Sequence, residues 1–245
     1  MLVRNWMSKK VIAVDENSSM EEATALMNEH HIRVLPVLDR GKLVGVVADR
    51  DLKRAAPSDT VRLEKPSYSY ILSNVKVGSI MTRNPITVPL NFSIEETAEV
   101  LLKHRITGVP VVDDKGEVVG MITLQDLLRV IISLTGVGKR GVQFAFQMED
   151  RPGSIKEVTD ILRGYGCRLV SILSSYENAP AGRRNVYVRV YEVDRGRMLQ
   201  MKRDLKGKAT ILYVVDHREN KREIYLPTAE GPISTSQHPG GRKAG

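Results

Sequence analysis

The chain has 245 residues, 42% of them hydrophobic and 27% charged, which is the balance of a folded protein and argues against disorder. That length suits one large domain or two to three small ones, and the single cysteine, Cys167, excludes an internal disulfide and a zinc site of the usual spacing. The net charge of +8 is uneven: residues 1–138 hold 17 basic and 17 acidic side chains, whereas 139–223 hold 18 and 11, so the basic field belongs to the C-terminal half.

No charged, apolar and small-residue leader pattern stands at the amino terminus, and the longest apolar run, at 130–137, falls far short of a membrane span. The expectation is a cytoplasmic protein without membrane contact. Along the first half the sequence repeats itself. A shift of 74 residues carries Met7 and Ser8 onto Met81 and Thr82, Val14 onto Val88, Asn17 onto Asn91, and Glu21 and Glu22 onto Glu95 and Glu96. The same shift brings His30 onto His104, Ile32 onto Ile106, Pro36 onto Pro110 and Asp39 onto Asp113, and after one inserted residue 45–51 falls on 120–126.

Each copy reads as strand, helix, two strands and helix. In the second, 86–88 is β-rich, and Ser93 with Glu96 three residues later is a capping box for a helix carrying Ala98, Leu101 and Leu102. The β-branched runs 109–112 and 118–122 flank the turn 113–116, and a helix over 124–134 closes the unit. A unit of about 60 residues has a small core, so two of them bury apolar faces that either would expose alone. The chain therefore divides into a first module at 1–56, a connector at 57–77, a second module at 78–135 and a hinge at 136–140.

The ordered features resemble the CBS domain family, whose tandem pairs are called Bateman modules. They are a Met-Ser/Thr start, a Pro-Val-Val-Asp-like strand and a closing Gly-hydrophobic-x-Ser/Thr-x-x-Asp. The resemblance covers residues 1 to about 135 and implies two modules packed as a pseudo-twofold pair that senses an adenosine-containing ligand.

The closing segment of the second copy, 120–126, sets the Thr123 hydroxyl and Asp126 carboxylate three residues apart at a helix start. Free amides and the helix dipole favour a phosphate there, and the carboxylate can accept from both ribose hydroxyls. The bare spacing is equally that of a capping box. The resemblance implies the ligand role, with adenine against Thr87, Val88, Val109 and Pro110. In the first copy the carboxylate survives as Asp51 but the hydroxyl is replaced by Ala48; Pro36, the repeat mate of Pro110, is also counted among the nucleotide-binding residues. Arg33 and Arg50 are alternative phosphate contacts or simply exposed. The second site is expected to be the better one. AMP, ADP, ATP or another adenosine derivative is the implied regulatory ligand, with no catalytic cofactor.

From Gly141 a new pattern begins. An alternating strand at 142–148, a turn at 150–154, a helix at 155–165, strands at 168–176 and 185–193, a basic helix at 197–205 and a strand at 209–215 spell βαββαβ, the ferredoxin-like order. The strand, Asp-Arg-Pro-Gly turn and helix resemble the ACT domain family over 141–217. The resemblance implies an amino-acid ligand at Asp150, Pro152, Gly153 and Ser154; pure dimerisation is the alternative. The fold class is thus α+β, a mixed α/β chain, with a flexible tail at 218–245.

No nucleophile, acid–base pair or metal cluster stands out, so no catalytic or metal residue is assigned and an enzyme is not expected. Thr135 to Arg140 resembles part of a P-loop but lacks the first glycine and the magnesium-holding hydroxyl, and reads as a hinge. The order CBS, CBS, ACT resembles acetoin-utilisation proteins of the AcuB type, which implies a homodimeric regulator passing a conformational change to an unknown protein partner. The competing reading is a nucleic-acid-associated regulator using Arg195, Arg197, Lys202, Arg203 and Lys206. An aromatic fraction of 5% weighs against nucleic acid.

Overall fold

The computed structural model describes residues 1–56 and 72–225. The expectations for most of the connector (57–71) and for the end of the tail (226–245) lie outside the described residues. Two compact units are present, Met1–Val130 and Ile131–Gly245.

In the first unit both copies of the repeat fold alike. The first runs β1 (Val14–Asp15), α1 (Met20–Glu29), β2 (Val34–Asp39), β3 (Lys42–Ala48) and α2 (Asp49–Ala55). After the connector come α3 (Val77–Ile80) and β4 (Thr82–Arg83), then the second copy: β5 (Val88–Pro89), α4 (Ile94–His104), β6 (Gly108–Val112), β7 (Val118–Thr123) and α5 (Leu124–Thr135). Capping boxes start α1 and α4. Ser19 Oγ accepts from the Glu22 amide at 3.1 Å while Glu22 accepts from the Ser19 amide at 3.0 Å, and Ser93 and Glu96 repeat the exchange at 3.1 and 2.7 Å. The strand expected at 86–88 is shorter: only Val88–Pro89 pairs, with the register Val88 opposite Val111.

Sequence order is not spatial order at the copy boundaries. α3 and β4, which the repeat places at the start of the second module, join the first copy: β4 pairs with β3, and Val77 and Met81 sit in the core with Leu35, Val37 and Val47. Residues at the head of the first copy do the reverse. Val3, the repeat mate of Val77, is fully buried with Leu101, Val109 and Ile122, and Ser8 pairs with Met121 on the edge of β7.

The backbone exchange is reciprocal. Met20 donates to the Val75 carbonyl at 2.8 Å and Ile94 to the Met1 carbonyl at 2.8 Å; Val77 donates to Ser18 and Val3 to Phe92, each at 2.9 Å. The borrowed methionines dictate a glycine in each receiving strand. A Cβ at Gly45 would lie 2.5 Å from the Met81 sulfur and 2.9 Å from the Thr82 carbonyl oxygen. At Gly120 it would lie 2.5 Å from the Met7 sulfur and 3.0 Å from the Ser8 oxygen.

The second unit holds β8 (Val142–Glu149), α6 (Ser154–Gly164), β9 (Arg168–Ser175), β10 (Arg183–Tyr191), α7 (Met198–Lys206), β11 (Thr210–Asp216) and β12 (Lys221–Ile224). The antiparallel order β12-β11-β8-β10-β9 contains the ferredoxin-like arrangement expected of βαββαβ. β12 corrects the expectation that the tail begins at 218: its pairing with β11 keeps residues 221–224 in the sheet.

Strand alternation sends Phe144, Phe146, Val186, Val188 and Val190 towards α6 and α7, where Leu162, Met201 and Leu205 complete the core. Cys167 is buried in that core and burial raises its thiol pKa, consistent with a packed, unreactive residue.

On the opposite sheet face lies Arg189, only 4% exposed. Its Nε donates to the Thr135 carbonyl at 2.7 Å and its Nη2 to Gln143 Oε1 at 2.7 Å, and Ser171 Oγ donates to the same Thr135 carbonyl at 3.0 Å. An arginine and a serine of the sheet thus satisfy the Thr135 carbonyl, a helix-end group of the same unit.

Candidate functional site

α5 begins where β7 ends, and its first turn holds the residues singled out by the repeat. Thr123 Oγ1 donates to Asp126 Oδ2 at 2.6 Å, and the Thr123 amide donates to the same oxygen at 2.9 Å. The Asp126 amide reaches Thr123 Oγ1 at 3.4 Å, so the turn is closed as a capping box. Asp126 Oδ1 accepts from Arg129 Nη1 at 3.1 Å. The carboxylate is 4% exposed overall, whereas the Arg129 side chain is 70% exposed. The Arg129 guanidinium thus reaches the buried carboxylate from the solvent side. Arg129, three residues beyond Asp126, escaped the motif reading although its i, i+3 spacing marks it.

The equivalent turn of the first copy is half built. Asp51 Oδ2 accepts from the Ala48 amide at 2.9 Å, but Ala48 offers no oxygen to the helix amides. Arg50 lies 3.9 Å from Asp51 Oδ1, and its Nη1 reaches the Arg105 carbonyl of the second copy at 3.5 Å, at the end of α4. This ties Arg50 to a helix C-terminus, where a cation complements the dipole. Arg105 has φ 53°, and its repeat mate His31 has φ 52°. His31 lines a cleft of about 580 Å³ with Asn28, Arg33, Asp49, Lys53 and Gln125, the last being the repeat mate of Arg50. Of the predicted ligand residues Arg33 alone lines that cleft.

The remaining predicted contacts divide by strand face. Val88 and Val109 are 0% and 1% exposed and face the core of the second copy; alternation along β5 and β6 puts their side chains inward with Val111. Pro110 projects to the other face, opposite Met121 in the register, and Thr87 precedes Val88 half-buried. Pro36 holds the matching place opposite Val46. The structure therefore brings Thr123 and Asp126 together, lines one cleft with Arg33 and Gln125 of that turn, and ties Arg50 to Asp51 and the Arg105 carbonyl. Among the described residues no group of three His, Cys, Asp or Glu side chains could hold a metal, and His30 and His104 sit at helix ends.

In the second unit the Asp150 to Ser154 turn is built as its residues suggest. Gly153 has φ 86° and N-caps α6, a left-handed conformation that favours glycine. Arg184 Nη2 donates to Ser154 Oγ at 3.1 Å and its Nε lies 3.5 Å from Asp150 Oδ1. Pro152 is exposed. Arg151 pairs with Glu157 at 2.7 Å and Glu149 at 3.2 Å; the hydrogen bond from Arg151 holds the Glu157 carboxyl below its ordinary range. No helix among the described residues is long and apolar enough to cross a membrane.

The CBS domain family profile matches residues 3–58 and 77–133. A CBS domain-containing protein of Dictyostelium discoideum is 35% identical over 141 residues, covering 55% of this chain and 93% of that protein. The L-aspartate semialdehyde sulfurtransferase of Methanocaldococcus jannaschii is also 35% identical, over 130 residues, but the match spans 53% of this chain and only 23% of the enzyme. Among solved structures, the CBS domain pair of protein MJ0100 in complex with 5′-methylthioadenosine and S-adenosyl-L-methionine is 33% identical, covers 54% of this chain and 95% of that one, and has a TM-score of 0.45. With two matched segments whose repeat mates fold alike and exchange their opening residues, this chain belongs to the CBS domain family.

Proposed function

We propose that the chain is a non-catalytic ligand sensor whose second CBS copy binds an adenosine-containing nucleotide or cofactor at the first turn of α5. The observation that carries this reading is the convergence of the Thr123 hydroxyl and the buried Asp126 carboxylate, at 2.6 Å, on a helix start. An incoming ribose displaces Arg129 from Asp126 Oδ1 and presents hydroxyl donors to the carboxylate. A phosphate takes the Thr123 hydroxyl and the amides at the helix end. Where Thr123 stands in the second copy, Ala48 stands in the first, so the first site binds more weakly or binds a ligand without phosphate.

The reading extends to a homodimeric regulator of the AcuB type. α5 exposes Leu124, Leu128, Ile131, Ile132 and Leu134, a face that a second copy would cover, and Leu128→Glu with Ile131→Glu should then give a monomer by light scattering. A ligand at the first turn of α5 would act on the helix that closes the second copy. The C-terminal domain is read as ACT-like. Its Asp150 to Ser154 turn, with Arg184 behind it, suits the carboxylate of an amino acid.

The deciding experiment is calorimetry and thermal shift with AMP, ADP, ATP, S-adenosylmethionine and the common amino acids. A ligand at 100 times its dissociation constant stabilises by about 2.7 kcal/mol. Asp126→Ala should abolish adenosine binding while Asp51→Ala spares it. The opposite pattern, or silence from every adenosine derivative, overturns the assignment.

A further inference from the structure

The Gly136 to Arg140 stretch, too incomplete for a P-loop, ends in a second concavity of about 450 Å³ in the C-terminal unit. Its wall carries Lys139, Arg140, Arg195 and Arg218 against one carboxylate, Glu192, with Tyr191 beside them. Two of these charges are already spent. Arg195 is bidentate to Asp216, at 2.8 and 3.0 Å, and 2.9 Å from Glu219; Glu192 is held by Arg168 at 2.9 Å. Lys139, Arg140 and Arg218 pair with no carboxylate among the described residues; Lys139 stands 5.9 Å over the Tyr191 ring. These three exposed cations line one hollow, and although water and salt screen their mutual repulsion, an anion seated among them would gain from all three.

The backbone is also held in an uncommon form at this wall. Arg140 and Glu192 both occupy the left-handed region, at φ 45° and 57°, where non-glycine residues cost energy. Between Arg140 and β8, a Cβ on Gly141 would collide with the Val190 carbonyl, so the chain passes flush against β10 and turns its two preceding cations outward into the hollow. The strained positions and the uncompensated cations coincide.

We infer that this hollow is an anion site for the phosphoryl groups of a small, multiply charged metabolite, separate from the CBS turn. A monocarboxylate would neutralise one of three cations, whereas a di- or triphosphate answers all of them with oxygen acceptors. The volume lies in the range of small-ligand pockets, roughly 300–1,000 Å³, and its concavity favours a compact anion over an extended strand. Its backbone differs from a P-loop, since the glycine-rich turn Val137–Lys139 leads from a helix into a strand. Side chains therefore supply the binding.

Inorganic triphosphate, which lacks the ribose that Asp126 would hold, is the probe. Calorimetry on the full chain at low salt should show saturable binding that weakens as salt rises. Removing each arginine should weaken binding about tenfold, so Arg140→Gln with Arg218→Gln should abolish most of it, and Lys139→Gln should weaken it independently. The Arg140→Gln, Arg218→Gln variant should still bind adenosine, the nucleoside without phosphate, as the native chain does, which separates failure here from failure of the adenosine reading. Equal affinity in the double variant, or no binding to the native chain, overturns the site. So does an oligonucleotide that binds through the same arginines and is not displaced by triphosphate, which would make the surface a nucleic-acid contact instead.

Discussion

The two CBS copies agree where the fold is made and differ where a ligand would be read. Their exchanged opening segments make the same hydrogen bonds, at 2.8 and 2.9 Å in both directions, and each receiving strand has a glycine under the borrowed methionine. At the helix start the copies part: Thr123 closes its turn with Asp126, while Ala48 leaves Asp51 to cap a single amide. Packing constrains both copies at once because each completes the other's core. The hydroxyl at the turn has only local partners, so one copy can lack it while the exchanged packing of the shared scaffold stays the same.

The largest effect should come from breaking the shared core. Leu101 is fully buried and its repeat mate Met27 is 5% exposed; truncating either to alanine should cost about 3 kcal/mol. Because each core includes residues from the other copy, both variants should lower one common denaturation transition, followed by two optical probes. A separate transition for one copy would break the comparison. A middle-sized effect belongs to the glycines. Gly45→Ala and Gly120→Ala should each cost about 1–3 kcal/mol, alike in the two copies. Met81→Ala and Met7→Ala should rescue them only in part, since the Thr82 and Ser8 carbonyl oxygens remain 2.9 and 3.0 Å from the new Cβ. Unequal costs would show that one exchange is more tightly packed than the other.

Much of this architecture is legible in the sequence because its signals are local. Ser93 with Glu96 announces α4, the run at 109–112 and the turn after it announce a hairpin, and the offset of 74 announces two equivalent units. What the offset cannot give is a partner. It says that Val3 and Val77 play one role, but either could serve its own copy or the other, and only the three-dimensional crossing decides.

Face is the second loss. The family resemblance assigns Val88 and Val109 to a ligand by position alone, and position does not say that alternation along their strands turns both side chains into the core. Burial against hydropathy is the third. Arg189 reads as an exposed charge on a strand, and its burial depends on the distant Thr135 carbonyl that it receives. β12 is short, charged and without alternation, so nothing but its ladder with β11 marks it as a strand.

The smallest effect tests whether the divergent turns are interchangeable. Thr123→Ala removes an N-cap side chain and should cost about 1 kcal/mol, at the lower part of the usual range because the Asp126 amide is a long 3.4 Å from Thr123 Oγ1. The reverse change belongs in the first copy. Ala48 already has the extended N-cap backbone, φ −111° and ψ 157°, that a β-branched residue adopts without strain, and Asp51 already accepts its amide. Ala48→Thr should therefore stabilise by up to about 1 kcal/mol in a denaturant titration, since it supplies the missing half of the box. Under the sensor reading the same substitution should also strengthen phosphate-bearing ligands at the first site relative to the unphosphorylated nucleoside. A stabilised variant with unchanged ligand preference would mean that the hydroxyl serves the helix alone; a destabilised one would mean that the two turns differ in more than one side chain.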